Sequence, residues 1–263
     1  MMKFVKLCII SLICLFCSLH VNAAIMQGGV SENSSVQQKY NRVIDKRTQA
    51  PIAGAKVKIP QTGYSTYTDN YGKFSIPNYT PQNSILSVQK ENYKPFSITI
   101  NEKNIGKPLS IGIEKSNKFD IVIDTDIYHI GDDNYSSASA NAGQFRSKAV
   151  GPVYHKSFFM PASTKNKTNY LVIGSIIGID TALARGMGQN NITTSFASPP
   201  KVFFNGQKIA EIQINGDSQK IKIPNYLIRP NQTNEIKIAA GINLQQTAYI
   251  DFDDIEFMNL NIE

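Results

Sequence analysis

The chain has 263 residues, 41% of them hydrophobic and only 18% charged, which is enough apolar material for a buried core and excludes a disordered tail. Its 27 Lys and Arg against 20 Asp and Glu leave a cationic surplus too small and too scattered for a nucleic-acid footprint, so no nucleic-acid partner is expected.

Residues 1–23 have the make-up of an export signal: a basic start at Lys3 and Lys6, an apolar run over 7–19, and the small-residue cleavage pattern Val21-Asn22-Ala23. The mature chain then starts at Ala24, secreted or periplasmic after bacterial export, with no membrane span left. The alternative, an uncleaved anchor, needs roughly 20 apolar residues, and Ser18, His20 and Asn22 interrupt this run. All three cysteines, Cys8, Cys14 and Cys17, fall inside the segment. The mature chain therefore has neither disulfide nor cysteine metal site.

Beyond residue 24 no 3.6-residue apolar period is sustained. Short β-rich runs recur instead, punctuated by Gly, Pro, Asn and Asp, which is the pattern of all-β sandwiches. Charge divides the chain: residues 24–117 hold 12 Lys and Arg against 6 Asp and Glu, and residues 118–263 hold 13 against 14. With the polar stretch Glu114-Lys115-Ser116-Asn117-Lys118 between two apolar strands, this places a domain boundary at 117/118.

In the first part, strands are expected over 40–45, 52–59, 64–67, 73–76, 84–89, 95–100 and 109–114, seven in all. Asp69 and Asn70 can bond their own backbone and Gly72 can take positive φ, so Thr68-Asp69-Asn70-Tyr71-Gly72 closes a hairpin. Pro51-Ile52-Ala53-Gly54-Ala55, this turn with Lys73-Phe74-Ser75-Ile76, and Glu91-Asn92-Tyr93-Lys94-Pro95 together resemble the carboxypeptidase regulatory-like (transthyretin-like) β-sandwich, over roughly residues 27–115. Asn92 stands where that family usually has Gly. The resemblance implies a spacer or binding module without catalytic residues.

In the second part, strands are expected from 119, then over 156–160, 169–179, 201–204, 219–223, 234–239 and 248–258, with Asn205-Gly206 as a two-residue hairpin turn. The segment Tyr128-His129-Ile130-Gly131-Asp132-Asp133-Asn134-Tyr135, the run Val202-Phe203-Phe204-Asn205-Gly206-Gln207, the run Ile228-Arg229-Pro230-Asn231-Gln232-Thr233-Asn234-Glu235-Ile236-Lys237-Ile238 and the terminal Phe252-Asp253-Asp254-Ile255-Glu256-Phe257 resemble the galactose-binding-like jelly rolls of carbohydrate-binding modules, over most of 118–263. The expected architecture is two β-sandwich domains, seven-stranded and then jelly roll. The resemblance implies a structural calcium in many relatives. In a jelly roll the first and last strands lie close, so Asp124 or Asp126 can meet Asp253 or Asp254 around a hard cation; the competing reading makes these acids turn formers and solvated strand faces.

For a sugar, aromatic rings supply stacking platforms and neighbouring polar groups supply hydrogen bonds. Tyr128, Tyr135, Arg185 and Asn190 are the candidate ligand-binding residues, against a reading in which such rings belong to the core. The mature chain keeps two histidines, His129 and His155, in no metal or triad spacing; each also reads as a hydrogen-bonded strand or turn residue. Adjacent acids on a strand point to opposite faces, so Asp132-Asp133 and Asp253-Asp254 make no glycosidase pair by themselves. No catalysis is expected. The expected function is a secreted binding protein that holds a carbohydrate or cell-surface component through the jelly roll. The alternatives are a structural or protein-interaction module without a glycan ligand, and a fragment of a secreted hydrolase system.

Overall fold

The computed structural model describes residues 40–263 apart from 78–82, 102–103, 105, 142, 166 and 191–194. The export segment over 1–23 and its cysteines lie outside the described residues.

Seven strands make the first sandwich: β1 (Asn41–Asp45), β2 (Lys56–Ile59), β3 (Tyr64–Tyr67), β4 (Lys73–Phe74), β5 (Ser84–Gln89), β6 (Phe96–Ile100) and β7 (Ser110–Ile113). One sheet runs β4-β1-β7, with β1 and β7 parallel, and the other β3-β2-β5-β6. Alternation sets the inner faces: Val57 and Ile59 of β2 and Leu86 and Val88 of β5 join Val43, Ile111 and Ile113 in one apolar core, while Lys56 and Lys58 face outward. At the expected hairpin the Asp69 carboxylate accepts from the N–H groups of Tyr71 and Lys73. Gly72 has φ +71°, and a Cβ there would overlap the Val43 carbonyl. Asn92 takes the left-handed conformation, φ 65°, that its family position requires.

Eight further strands form two antiparallel four-stranded sheets. They are β8 (Ile121–Ile130), β9 (Val153–Met160), β10 (Asn169–Ile177), β11 (Lys201–Phe204), β12 (Gln207–Glu211), β13 (Gly216–Ile223), β14 (Gln232–Ala239) and β15 (Ile255–Ile262). The sheet orders are β13-β10-β15-β8 and β12-β11-β14-β9. A short helix, α1 (Ala182–Gly186), is capped by the Thr181 hydroxyl accepting from the Ala184 N–H. Positive φ at Asn205 and Gly206 turns β11 into β12 as expected.

Two boundaries differ from the sequence expectation. Strand β8 starts at Ile121 instead of 119 and continues through Asp124-Thr125-Asp126 to Ile130, and 248–254 is loop, with the last strand running to Ile262. The acids of 251–254 accept hydrogen bonds from loop donors, which holds that segment out of the ladder.

Every residue of β15 is buried, because the outer face of its sheet is covered as well. Ile255, Phe257, Leu260 and Ile262 enter the core of the second sandwich. On the other side Met258 packs with Ile177 and with Ile85 of the first sandwich, flanked by Ile127 and Phe145. Polar groups line up across this seam: the Gln61 amide donates to Glu256 Oε2 at 2.9 Å, and the Ser175 and Ser97 hydroxyls meet at 3.0 Å. Lys94 lies 3.0 Å from Glu263 and 3.4 Å from Asp120. The described residues of 40–263 belong to one compact unit.

Candidate functional site

The end of the second sandwich where β8 stops and β15 begins gathers the polar side chains. Asp254, fully buried just before β15, is the hub. Its Oδ1 accepts from His129 Nε2 at 2.8 Å and from the Asp133 N–H at 3.0 Å; its Oδ2 accepts from the Asn141 amide at 3.1 Å. The Asp254 N–H in turn donates to Asn141 Oδ1 at 2.6 Å. Gly131 is obligatory beside it, since a Cβ there would overlap the Asp254 carboxylate. Further out, Asn134 donates to Asp251 at 2.5 Å, Asn243 to Asp251 at 2.9 Å, and the Phe252 N–H to Asp132 at 2.9 Å. Residues 131–141 are thereby stitched to 243–254.

His129 is 3% exposed. Its Nδ1 lies 2.5 Å from the Ser147 carbonyl while Nε2 faces the Asp254 carboxylate, so both nitrogens point at acceptors and both carry protons. Burial alone would lower its pKa; the hydrogen bonds to Asp254 and Ser147, with the charges of Asp254 and Glu256, outweigh burial and raise it. Glu256, across the ladder from His129, is pushed up by burial against the counter-effects of Gln61 and His129. Asp132 is likewise pushed up by burial, which exceeds the help of its two backbone donors.

The four acids named from sequence do not meet. Asp124 pairs with Leu260, six residues along β15 from Asp254, which is about 20 Å at the usual rise of a strand. The continuation of β8 is the cause, since it carries Asp124 and Asp126 away from the loops. Asp124 is occupied by Lys156 at 2.9 Å, Tyr128 at 2.9 Å, Tyr154 at 3.1 Å and the Asp126 N–H at 3.1 Å. Burial resists its ionisation, but Lys156 and these hydrogen bonds hold its pKa below the usual carboxylate range. Asp126 is exposed on the strand. Among the described residues, the His, Asp and Glu atoms close enough to share an ion belong to His129, Asp133 and Asp254, and protons already bridge His129 to its neighbours.

Asp253 faces a different way. It is fully buried, its Oδ2 accepts from the Asp180 N–H at 3.2 Å, and its Oδ1 has no hydrogen-bond partner. Burial, then the charge of Asp180, raises its pKa well above the ordinary value.

The four candidate sugar contacts are also dispersed. Tyr128 packs into an aromatic group with Tyr154, centroids 4.5 Å apart, and Phe257, 5.9 Å apart. The Tyr135 hydroxyl accepts from the Phe145 N–H. Arg185 lies over the Phe196 ring at 4.7 Å, and Asn190 donates to Asp180 at 2.9 Å. Each is spent on internal contacts. What the network presents to solvent is a rim: Leu244, Tyr249 and Ile250 are 53%, 50% and 69% exposed, and the Asn134 amide reaches the Tyr249 hydroxyl at 3.4 Å. Tyr249 carried a signal, an aromatic in an apolar-polar loop between strands, but its neighbours were read as strand.

Residues 42–122 match the family model of the CarboxypepD_reg-like domain, a non-catalytic Ig-like domain. The first sandwich thus meets the sequence expectation. No curated protein matches the chain. Among solved structures, a β-glucuronidase from Ruminococcus gnavus in complex with uronic deoxynojirimycin is 15% identical, with 56% of this chain and 29% of that chain covered and a TM-score of 0.29. The crystal structure of the same organism's β-glucuronidase gives 14%, 55%, 29% and 0.28. The chain spans less than a third of the length of these proteins, and likeness at such TM-scores carries no argument. Among the described residues no helix is long and apolar enough to cross a membrane.

Proposed function

We propose that the chain is an exported, non-catalytic binding protein that holds a glycan or another cell-surface component on the rim formed by Leu244, Tyr249 and Ile250 beside Asn134. The observation that carries this reading is the contrast between rim and hub: His129, Asp251 and Asp254 are buried and spent on fixing the loops, whereas Leu244, Tyr249 and Ile250 stand exposed beside them. A general acid or base has to reach the proton it moves, and His129 and Asp254 are sealed from any substrate. A rigid aromatic rim is what a sugar face stacks on.

In the same reading a structural calcium belongs at Asp253, where burial works against the charged carboxylate and a hard cation would use the Oδ1 atom that no hydrogen bond reaches. The second reading, a protein-interaction module without a glycan ligand, draws on the aliphatic Leu244 and Ile250, which suit a protein partner as well as a sugar. A glycan array with the mature full chain decides between them. Binding that falls about tenfold or more in Tyr249→Ala supports the glycan reading. An array with no glycan bound overturns it in favour of the second.

A further inference from the structure

The outer face of the first sandwich carries a second set of groups that neither the fold nor the loop rim uses. Lys56 of β2 stands opposite Tyr67 of β3 on one side and Gln89 of β5 on the other, so the three form one cross-strand row on the outward face. The row opens into a groove of about 430 Å³ whose far wall is Val122 and Thr125 of β8. Gln89 donates to the Thr125 carbonyl at 3.4 Å, which ties the two walls together, and the groove is formed before any ligand arrives.

Charge in this groove is unbalanced. Lys46, Lys94, Lys156, Lys208 and Lys220 are all in ion pairs with carboxylates. Among the described residues Lys56 has no such partner, and Lys90 reaches only the Gly54 carbonyl, at 3.5 Å. Glu91 is the one acid among the lining residues. Lys56 and Lys90 both line this concave surface, and two like charges on one groove gain from an anion bound there. Beside them Tyr67 is 63% exposed. Its apolar face and the two cations select for a ligand that is both flat-faced and negatively charged.

We propose that this groove binds an acidic saccharide, a sugar ring bearing a carboxylate, with Lys56 and Lys90 on the carboxylate, Tyr67 against the ring and the Gln89 amide oxygen on a hydroxyl. A volume of about 430 Å³ suits a short oligosaccharide. An acidic peptide supplies the charge but no rigid ring for Tyr67. The inference stands apart from the loop rim, because every variant that tests it lies on the first sandwich.

Calorimetric titration of the mature full chain with trigalacturonic acid, maltotriose and triglutamate tests it. Trigalacturonic acid is expected to bind, more weakly as salt rises, and maltotriose is not. Lys56→Gln with Lys90→Gln lowers the affinity by about a hundredfold, roughly tenfold for each charged contact, and Tyr67→Ala by about tenfold. Glu91→Gln, which removes the opposing charge, tightens binding severalfold and keeps the test alive should a lysine variant fold poorly. Tyr249→Ala leaves this binding unchanged, so failure here and failure of the rim reading are told apart. The proposal is overturned if trigalacturonic acid does not bind at millimolar concentration, if maltotriose binds equally well, or if triglutamate binds as tightly with no loss in Tyr67→Ala.

Discussion

Replacing Asp254 by alanine removes the acceptor of the His129 ring and the Asp133 N–H and one of the acceptors of the Asn141 amide. His129 cannot turn to water, because it and Asp254 are 3% and 0% exposed. Removing one partner of a buried charged pair costs about 3–5 kcal/mol, most of it the penalty of the charge left behind. At roughly 2–4 °C per kcal/mol for a chain of this size, the melting temperature falls by roughly 6–20 °C. Asp254→Asn keeps the volume and one acceptor oxygen but turns an NH₂ toward a donor, so its loss is smaller and still measurable. Scanning calorimetry near pH 6.5, where His129 is charged, reads both. A drop below about 2 °C for Asp254→Ala would refute the hub, since it would mean that the loops are held by something other than this network.

Three further outcomes follow from the same geometry. His129 holds its proton to higher pH than a free imidazole, so its contribution is fully present below pH ~6.5 and is lost as pH rises through the folded value; the gap in melting temperature between wild type and His129→Gln therefore narrows from pH 6 to pH 9, and a constant gap contradicts the charged pair. Asp253, with its pKa raised, makes the fold lose stability as pH rises from about 4, so in chelator at pH 7 Asp253→Asn melts higher than wild type. Calcium at a hundredfold excess over its dissociation constant adds ~2.7 kcal/mol to wild type only, and equal shifts in both proteins exclude the site. Ile85→Asp puts a charge into the apolar seam between the sandwiches, and its calorimetric trace splits into two transitions where wild type shows one; an unsplit trace at the wild-type temperature means the seam contributes little.

Local signals in the sequence located most of the strands. Residues 64–67, 84–89 and 201–204 stand where their alternation and flanking turns place them, and the Asn205-Gly206 and Asp69 to Gly72 turns close as their backbone preferences require. The candidate site was legible only in outline. Acids near the start of the second sandwich were expected beside acids near its end; what meets Asp254 is the His129 ring and the backbone N–H of Asp133, and not Asp124 or Asp126. The difference is the length of β8: the strand runs on through Asp124 and Asp126 to Ile130 and carries the early acids along the sheet, and nothing in a run of alternating Asp, Thr and Asp says whether it extends or turns.

The strand β15 shows most directly what a single sequence withholds. Glu256, Asn259 and Asn261 are interspersed with apolar residues, which reads as a half-solvated strand. The structure buries both faces, because the first sandwich lies on the polar one. A solvated face and a face covered by a polar partner carry the same pattern, so the pattern alone cannot separate them. The partner leaves its mark elsewhere. Asn259 takes φ 60° at a break in the β8–β15 register, and a Cβ on Gly174 would sit 2.5 Å from Ser97 Oγ and 2.7 Å from Asn259 Cβ. A glycine inside an otherwise β-rich run marks a close backbone approach, and here what approaches is the other sandwich. Gly174→Val therefore forces the two sandwiches apart without adding charge or polarity. It should produce the same split unfolding as Ile85→Asp, and a single transition at the wild-type temperature would show that β10 and β6 do not touch.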